Sequence, residues 1–441
     1  MDKSKNRDAQ SSRREFLKKL GVLTGSPLVV SFSLFDKENK PSEKVGVGFI
    51  GTGERGRYLM KTLSDVKQAQ LIAICDVRKK DLDEAFGIAQ KMNEDVVLYK
   101  DFRELLARDD IDAVVIATPD HWHGPVAISA IRAGKDVYVE KPLTISLEDD
   151  LKLREEVKKH NRVFQFGTQQ RSNEDFAFAC ELVRNGYIGE LKKIRVGVPG
   201  GITGPICSEE PIPEGFDYDM WLGPAPYSPY CEARTVRPYW YHITDYAMGF
   251  IGGWGIHHVD IAQWGHGKDD ALSPVEYYGK GVFPKEGICD GAISWDVEMR
   301  YTDGVVVHFT NEQTQAKEPN LNRSGVKFEG SDGWVFVNRE TIEAEPKSLL
   351  SIKLKESDIR LYKSKHHMKN FIECVISREQ PVAPIDVAVR SNVICLLSEI
   401  AIRTNKIIKW DPVNERILEP LEFPNEVYKL FRRPKRDKWN L

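Results

Sequence analysis

A buried-strand run that passes directly into a glycine-rich turn is the feature that most restricts how this chain can fold. Val45–Ile50 has the apolar and glycine content of a buried strand, and Arg57–Leu63 has the pattern of a helix. The residues between them are Gly51, Thr52, Gly53, Glu54, Arg55 and Gly56. In such a turn the first glycine permits the bend, the second lets the backbone approach a pyrophosphate, and the third lets helix and strand pack closely. The segment predicts a dinucleotide site, with the pyrophosphate at the helix N-terminus.

A carboxylate after the second predicted strand indicates which dinucleotide binds. That strand is Leu71–Cys75, and Asp76 follows it, twenty residues after Gly56. A carboxylate there accepts hydrogen bonds from the ribose hydroxyls and repels a 2′-phosphate, which favours NAD over NADP. Arg78 weakens this preference slightly. A glycine turn that holds no ligand is the alternative interpretation.

Strands and helices continue to alternate through the first half of the chain. Further strands are predicted at Asp112–Ala117, Asp136–Val139 and Arg162–Phe166. The helices between them are predicted at Lys79–Met92, Asp101–Arg108, Pro125–Arg132 and Leu147–His160. This order predicts an α/β fold with a doubly wound parallel sheet, whose ligand cleft lies at the carboxyl ends of the strands.

Two segments at the ends of these strands carry reactive side chains. The first is Thr118-Pro119-Asp120-His121-Trp122-His123, and the second is Glu140-Lys141-Pro142. A lysine held beside a nicotinamide can hold or polarise a substrate hydroxyl, and burial lowers its pKa toward acid–base use. A surface lysine after a strand, and a histidine that only caps a helix, are the alternatives for Lys141 and His123.

The order of these motifs resembles the Gfo/Idh/MocA oxidoreductase family, named for glucose–fructose oxidoreductase and inositol dehydrogenase. The resemblance rests on the glycine turn, Thr118-Pro119, Glu140-Lys141-Pro142 and Gly255-x-His257-x-x-Asp260, and it covers about residues 44–412. It implies that Lys141 is the active-site lysine and His257 its acid–base partner. The resemblance and the strand-end positions together predict further cofactor contacts by Thr118, Pro119, His121, His123, Glu140, Lys141 and Gln169. Substrate contacts are predicted for Trp122, Arg171, Tyr239, Trp240, Asp245 and His258.

One position departs from the family pattern. The family commonly places an aspartate four residues before the histidine, and Gly253 stands there in this chain. Asp245, His258 and Asp260 are the possible substitutes, although Asp260 is expected to be structural and to bridge to the first domain. A metal site on His257, His258 and Asp260 would need ligands from elsewhere, so no metal is predicted.

The second half of the chain is predicted to form a separate α+β domain. Strand patterns occur at Lys193–Val198, Trp295–Tyr301, Val305–Thr310, Gly325–Glu329 and Gly333–Val337, and helices at Lys365–Ser377 and Val387–Thr404. The resemblance implies an open, mostly antiparallel sheet whose face meets the cleft. Residues 199–241 form a long irregular stretch rich in proline, glycine and aromatic residues, and its aromatic faces suit sugar rings. A small separate core or an oligomer contact is the alternative for these aromatics.

The first forty residues differ in charge from the rest. Residues 1–20 carry seven basic and three acidic groups, whereas the chain from Asp36 onward carries 56 basic and 63 acidic groups. Arg13-Arg14-Glu15-Phe16-Leu17-Lys18 followed by the uncharged Leu20–Phe35 resembles a twin-arginine export signal. The chain is therefore expected in the periplasm, with a membrane contact only if the signal stays uncleaved. An amphipathic N-terminal helix on a cytosolic protein is the alternative.

Composition excludes several classes of protein. A formal net charge of −3 and a pI of about 6.4 argue against a nucleic-acid-binding protein. No run of about 18 apolar residues occurs, which excludes several membrane spans. The seven cysteines lie far apart without a C-x-x-C pair, so neither a disulfide framework nor a structural zinc site is expected.

The expected organisation is a signal and linker at 1–40, an NAD-binding domain at 44–166, a substrate and oligomerisation domain at 167–412, and a tail at 413–441. The resemblance implies a homo-oligomer, either a dimer or a tetramer. The expected function is an exported NAD-dependent oxidoreductase that acts on a hydroxyl of a sugar or glycoside with tightly bound, recycled cofactor. The alternatives are a glycoside-cleaving or epimerising enzyme that works through a transient keto-sugar, and a non-catalytic NAD- or sugar-binding module.

Overall fold

A computed structural model describes residues 44–267, 273–311, 324–436 and 439. The predicted twin-arginine signal, within 1–40, lies outside these described residues. Within the described ranges, no helix combines the length and the hydropathy that crossing a membrane requires.

The first sheet has six parallel strands in the order β3-β2-β1-β4-β5-β6. These strands are β1 Val45–Ile50, β2 Ala69–Cys75, β3 Val97–Tyr99, β4 Ala113–Ile116, β5 Asp136–Val139 and β6 Phe164–Phe166. The α-helices around them are Glu54–Ser64, Lys79–Ala89, Phe102–Leu106, His123–Arg132 and Leu147–Lys159. The strand order reverses between β1 and β4, and such a point is where doubly wound sheets bind ligands. The prediction of a doubly wound parallel sheet is confirmed.

The second sheet has nine strands in the order β13-β12-β11-β7-β10-β9-β8-β14-β15. Its strands are β7 Leu191–Val198, β8 Glu276–Val282, β9 Ser294–Arg300, β10 Val306–Asn311, β11 Gly325–Gly330, β12 Trp334–Val337, β13 Ile342–Glu345, β14 Ile408–Asp411 and β15 Arg416–Glu419. Neighbouring strands pair antiparallel except β7 and β10, which pair parallel. The predicted α+β domain with a mostly antiparallel sheet is therefore confirmed.

Helices of the second half connect the two sheets. They are Glu174–Arg184, Tyr218–Leu222, Glu232–Thr235, Gly249–Gly253, Gly255–His266, His367–Ser377, Ile385–Thr404 and Asn425–Tyr428. Ile385–Thr404 packs against β8, Leu147–Lys159 and Gly255–His266, so apolar residues of both domains share one buried cluster. His367–Ser377 packs on the core of the first sheet, where the Phe371 ring lies against Tyr138. This helix therefore completes the first domain, although the chain order had placed it in the second.

The end of the chain pairs with the second sheet and then packs against the first domain, rather than forming a surface tail. Arg416–Glu419 pairs with Ile408–Asp411 as an edge strand. Leu430 and Trp439 are buried in the shared apolar cluster. The predicted tail at 413–441 is corrected accordingly, because its few apolar side chains contact partners that are distant in the sequence.

Cys207 and Cys231 form a disulfide, which the spacing of the cysteines did not predict. The bond joins two residues of the irregular stretch 199–241, across a sequence separation of 24. The other five cysteines, Cys75, Cys180, Cys289, Cys374 and Cys395, are buried and do not form disulfides. Wide spacing along the chain did not reveal the pair, because an irregular segment can fold back on itself.

Removing this disulfide is expected to destabilise the protein. The Cys207→Ser/Cys231→Ser variant should lose about 3 kcal/mol of unfolding free energy, because a closed loop of this length restricts the unfolded chain. Urea titration followed by circular dichroism measures the loss. Reduced wild-type protein should match the variant, and equal stability of the variant and the oxidised wild type would contradict the prediction.

Candidate active site

A cavity of about 980 Å³ lies at the carboxyl ends of the first sheet, and the second domain covers it. Gly51, Asp76 and Lys141 border it from the first domain, and Tyr241 and His257 from the second. This volume is at the upper end of the range for small-molecule and cofactor sites. The cavity is therefore large enough for a dinucleotide with a substrate beside it.

The glycine turn has the geometry that a pyrophosphate requires. Gly51 has a φ of +87°, and a Cβ there would lie 2.6 Å from the backbone of Ala117 and Thr118. A Cβ on Gly56 would lie 2.2 Å from the Gly51 oxygen, so the helix packs tightly on the turn. A Cβ on Gly53 would meet nothing within 4 Å, which leaves its backbone open to the cavity. The helix that follows has no side-chain N-cap, and its first N–H groups remain available to an anion.

Asp76 borders the cavity and is held by two backbone N–H groups. Its Oδ2 accepts hydrogen bonds from the Thr52 N–H (2.7 Å) and the Thr52 hydroxyl (3.1 Å), and its Oδ1 accepts one from the Arg78 N–H (2.9 Å). Burial raises the pKa of Asp76, and these hydrogen bonds oppose the rise. Arg78 lies over the Phe216 ring at 4.3 Å and donates to the Thr235 hydroxyl at 2.8 Å. The second domain thus holds the Arg78 guanidinium at the border of the cavity, 3.7 Å from Asp81.

Glu140 anchors the lysine segment. Its Oε1 accepts hydrogen bonds from Arg55 Nε (2.8 Å), Arg55 Nη2 (2.7 Å) and Gln169 Nε2 (2.9 Å). Burial opposes its ionisation, but the charges of Arg55 and Lys141 outweigh burial and hold the pKa of Glu140 below its ordinary value. An ionised Glu140 therefore holds the turn that presents Lys141.

Lys141 follows β5 and reaches across the cavity to the second domain. Its Nζ donates to the Gly253 carbonyl oxygen at 2.8 Å and lies 5.5 Å from the Tyr241 ring centroid. Burial lowers the pKa of Lys141, and the charges of Glu140 and Asp120 partly oppose this. A lysine with a lowered pKa can lose its proton near neutral pH and then accept one from a hydroxyl.

His257 lies on the opposite side of the same cavity, in the first turn of Gly255–His266. It is 2% exposed, and its Nδ1 has no hydrogen-bond partner within the described ranges. Burial lowers its pKa, and the nearby charge of Lys141 lowers it further, so the imidazole is neutral. The structure thus brings together the predicted pair, Lys141 and His257, from different domains.

Asp120 is a cavity residue to which the sequence analysis assigned no role. It is 2% exposed, borders the cavity, and its Oδ2 has no hydrogen-bond partner in the described structure. Burial raises the pKa of Asp120 to about 8, against the opposing charge of Lys141. Asp120 could have been identified as a site residue from the sequence, because it is a carboxylate at a strand end and lies two residues before the predicted Trp122.

Aromatic and arginine side chains of the second domain form one wall of the cavity. Trp240 and Tyr241 stack with ring centroids 3.9 Å apart, and the Arg237 guanidinium lies 5.1 Å from the Tyr241 ring. The Arg339 guanidinium lies 4.3 Å from the Trp254 ring. Of these five, only Trp240 was predicted as a site residue, although Arg237 and Tyr241 lie in the same segment and Trp254 directly precedes the histidine motif.

Comparisons with known proteins agree with this geometry. The profile described as the oxidoreductase family, NAD-binding Rossmann fold (Gfo/Idh/MocA), matches residues 45–168. A second profile, described as the oxidoreductase family, C-terminal alpha/beta domain, matches residues 203–441. The chain belongs to the Gfo/Idh/MocA oxidoreductase family. The family resemblance is thereby confirmed, and NAD is the cofactor of the first domain, to which Gly51–Gly56 and Asp76 fit.

Curated relatives of this Gfo/Idh/MocA protein include enzymes named for glycoside cleavage. The alpha-N-acetylgalactosaminidase of Shewanella oneidensis is 31% identical over 201 residues, which are 41% of this chain and 44% of that protein. A glycosyl hydrolase family 109 protein of Shewanella putrefaciens is 30% identical over 201 residues, with the same shares of each chain. The match thus spans less than half the length of these relatives.

Solved structures share the fold over most of both chains. The WlbA dehydrogenase of Bordetella pertussis, in complex with NADH and UDP-GlcNAcA, has a TM-score of 0.63 at 17% identity over 83% of this chain and 99% of that one. The aldose-aldose oxidoreductase of Caulobacter crescentus, complexed with glycerol, has a TM-score of 0.62 at 18% identity with the same coverage.

The structure divides the predicted site residues of this Gfo/Idh/MocA protein into two groups. Those that border the cavity are Gly51, Gly53, Glu54, Arg55, Asp76, Thr118, Pro119, Trp122, His123, Glu140, Lys141, Gln169, Trp240 and His257. Those that do not are Thr52, Gly56, His121, Arg171, Tyr239, Asp245 and His258. Direct side-chain contact with cofactor or substrate is corrected for Thr52, His121, Arg171, Asp245 and His258, which contact other protein groups. Gly56 packs against Gly51, as its predicted role in the turn requires.

Four of these corrections have a clear physical cause. His121 Nε2 lies 3.0 Å from the Trp221 oxygen, and burial lowers its pKa to about 4. His258 Nδ1 lies 2.9 Å from the Gly197 oxygen. Asp245 lies 3.8 Å from Lys429, and Thr52 is bonded to Asp76 as described above. Each side chain is thus engaged with protein groups away from the open part of the cavity.

Arg171, in the segment after β6, and Asp260, in the helix Gly255–His266, form a buried ion pair. Arg171 Nε and Nη2 donate to Asp260 at 2.7 and 3.0 Å. Asp260 is therefore a structural bridge. Among the described residues, no group of three or more His, Cys, Asp or Glu side chains is placed to hold a metal ion.

His123 bridges the two strand-end segments. Its Nδ1 lies 2.6 Å from the Pro142 oxygen and its Nε2 lies 3.0 Å from the Thr118 oxygen. Both ring nitrogens thus face backbone oxygens, which matches the structural alternative for this residue. His123 borders the cavity but contributes mainly by holding the Lys141 turn against the Thr118 segment.

Proposed function

We propose that this protein oxidises a hydroxyl-bearing carbon of a sugar or glycoside, with Lys141 as the base. The observation that carries the proposal is the placement of Lys141 and His257, from different domains, in one cavity with the glycine turn. NAD, when bound, supplies the acceptor for the hydride that leaves the substrate carbon. Lys141 takes the hydroxyl proton, and neutral His257 can donate to or accept from a neighbouring hydroxyl.

The wall of the cavity supports a carbohydrate substrate. The stacked Trp240 and Tyr241 and the Trp254 ring offer flat apolar faces, which suit the C–H face of a sugar ring. The guanidinium groups of Arg237 and Arg339 lie beside these faces and offer hydrogen-bond donors to hydroxyl edges. Structural relatives named for a nucleotide-sugar complex and for an aldose oxidoreductase agree with this class.

A second candidate is glycoside cleavage through a transient ketone, and the similarity to glycosyl hydrolase family 109 proteins favours it. Oxidation of a ring hydroxyl acidifies the neighbouring C–H, so a base can remove that proton and the aglycone can leave. Addition of water and return of the hydride then complete a hydrolysis with no net oxidation. Such a cycle regenerates the cofactor in each turnover.

We further propose that the protein is exported to the periplasm with its cofactor bound. The arginine pair at Arg13-Arg14 and the Cys207–Cys231 disulfide support this, because disulfides persist in oxidising compartments. Outside the cytoplasm there is no NAD pool to exchange with, which favours a retained, recycled cofactor. We expect copies to associate as a dimer or tetramer through the open face of the nine-stranded sheet.

One set of measurements tests the reaction. Full-length protein purified without added NAD is examined by native mass spectrometry, and is expected to retain about one NAD per chain. It is then incubated with a panel of sugars and nitrophenyl glycosides, including the N-acetylgalactosaminide. Exchange of substrate C–H with deuterium and reduction of the cofactor report oxidation, while aglycone release without added NAD reports cleavage. Bound NAD with none of these reactions would indicate a non-catalytic binding module and overturn the proposal.

A further inference from the structure

The cavity contains a carboxylate, Asp120, that can replace the aspartate which the family pattern places at position 253. Gly253 occupies the position of the family aspartate, four residues before His257 and at the end of the preceding helix. The three substitutes considered from the sequence are engaged elsewhere, since Asp245 lies beside Lys429, His258 beside Gly197, and Asp260 on Arg171. None of them borders the cavity.

Asp120 has the position and the free oxygen that this role requires. It borders the same cavity as Lys141 and His257, comes from the strand-end segment after β4, and its buried Oδ2 has no hydrogen-bond partner in the described ranges. A buried carboxylate oxygen without a hydrogen-bond partner lowers the stability of the fold. Its presence in this chain therefore points to a functional role. Lys141 and Asp120 lie close enough for each charge to change the pKa of the other.

Lys141 is free to serve two partners. Its Nζ has three donor positions when protonated, and the Gly253 carbonyl oxygen takes one of them. The remaining positions can face a substrate hydroxyl and the Asp120 carboxylate. The other charged or titratable groups that interact with this pair are Glu140, Arg55, Arg237, Tyr241, His123 and His257.

We infer that Asp120 is the carboxylate of the proton relay in this chain, in place of the aspartate absent at position 253. The inference rests on the proposed oxidation. The substrate O–H proton passes to the neutral Lys141 amine while the carbon loses its hydride to NAD and the C=O bond forms. The Lys141 ammonium then passes that proton to ionised Asp120, which holds it until release to water or return in the reverse step. Asp120 thus acts through Lys141 as a positioning residue.

Asp120→Asn is expected to lower kcat about 100-fold, since a relay group contributes at least this factor. Its pH profile should change as well. Oxidation needs the neutral amine, so the rate rises with pH through the pKa of Lys141. Ionised Asp120 raises that pKa, and its removal should move the rising limb of kcat/KM to lower pH. A purely structural role would reduce the rate without moving this limb.

Position 253 allows a rescue experiment. A Cβ at Gly253 would meet only Phe250 and Tyr241 atoms at 3.9 Å, so a side chain fits there. The double variant Asp120→Asn/Gly253→Asp is expected to have a kcat at least tenfold higher than that of Asp120→Asn. Asp150→Asn is the matched control, because Asp150 is equally buried but bonds to Asn392 and Thr144 away from the cavity. In the control variant the rising limb of the kcat/KM profile should stay at the wild-type pH. Thermal unfolding of every variant shows whether it is folded.

A second readout does not depend on turnover. Carbamylation of Lys141 by cyanate, followed by peptide mass spectrometry across pH, reports the protonation of its amine directly. Its midpoint should lie at lower pH in Asp120→Asn than in the wild type. An unchanged midpoint, or wild-type kcat in a folded Asp120→Asn protein, would overturn the inference. A shifted midpoint in a protein without sugar oxidation would support the Lys141–Asp120 pairing and refute the proposed function alone.

Discussion

Lys141→Ala is expected to lower turnover by about 10³-fold while NAD stays bound. The change removes the amine that takes the hydroxyl proton, and general-base groups of this kind contribute about 10²–10⁴-fold. NAD binding should change little, because the glycine turn and Asp76 lie on other strands of the sheet. Deuterium exchange at the substrate C–H measures turnover, and calorimetry with NAD measures binding.

Two control variants separate base chemistry from simple charge. Lys141→Arg keeps the positive charge but cannot lose its proton, so it should be as inactive as the alanine variant. Lys192→Ala removes an exposed lysine that is paired with Glu190 outside the cavity, and should retain full activity. Unchanged turnover in Lys141→Ala would refute the assignment, and an active arginine variant would reduce Lys141 to an electrostatic role.

Asp260→Ala is expected to cost about 3–5 kcal/mol of unfolding free energy, the usual cost of breaking a buried ion pair. Arg171 and Asp260 are 4% and 0% exposed, and Asp260 Oδ1 also accepts the Ser391 hydroxyl at 2.9 Å. The substitution removes the carboxylate from a buried guanidinium. The pair joins the segment after β6 to the helix that carries His257, so the domain junction at the site should loosen too.

Urea unfolding at neutral pH measures this loss. The Arg171→Met/Asp260→Leu variant removes both charges and should be clearly more stable than Asp260→Ala, because it leaves no buried charge to compensate. Glu174→Ala removes one partner of the exposed pair with Lys365 and is expected to leave the unfolding midpoint unchanged. Equal stability of Asp260→Ala and the wild type would refute the structural assignment.

The first domain was predictable because its signals are local. The apolar run Val45–Ile50, the glycine turn and Asp76 lie within about thirty residues, and each restricts backbone conformation or charge at its own position. The second sheet was only partly predictable. Glu276–Val282 contains two glycines that weaken its strand pattern, and Arg416–Glu419 is a short, largely exposed edge strand. Both form because neighbouring strands supply their hydrogen-bond partners.

The site shows the same division. Lys141 and His257 were found because their motifs have a recognisable spacing, and the structure places both in one cavity. Asp120 lies in the segment Thr118–His123, but the sequence indicated no role for it. Its burial and its unpartnered Oδ2 arise only because the second domain covers the end of the strand. Arg171, Asp245 and His258 are polar residues near motifs, and only their contacts showed that they face protein groups.

By itself the sequence indicated the family, the NAD-binding turn and Lys141 as a residue of the cavity, because these depend on residue types at short spacing. Tertiary structure decided which carboxylate borders the cavity with Lys141, which cysteines pair, and that the described residues after Asp411 pack against both domains. These features depend on distances between segments far apart in the chain. Burial then assigns different chemistry to similar side chains, leaving Asp120 Oδ2 without a hydrogen-bond partner in the described structure while Asp260 is bound by Arg171.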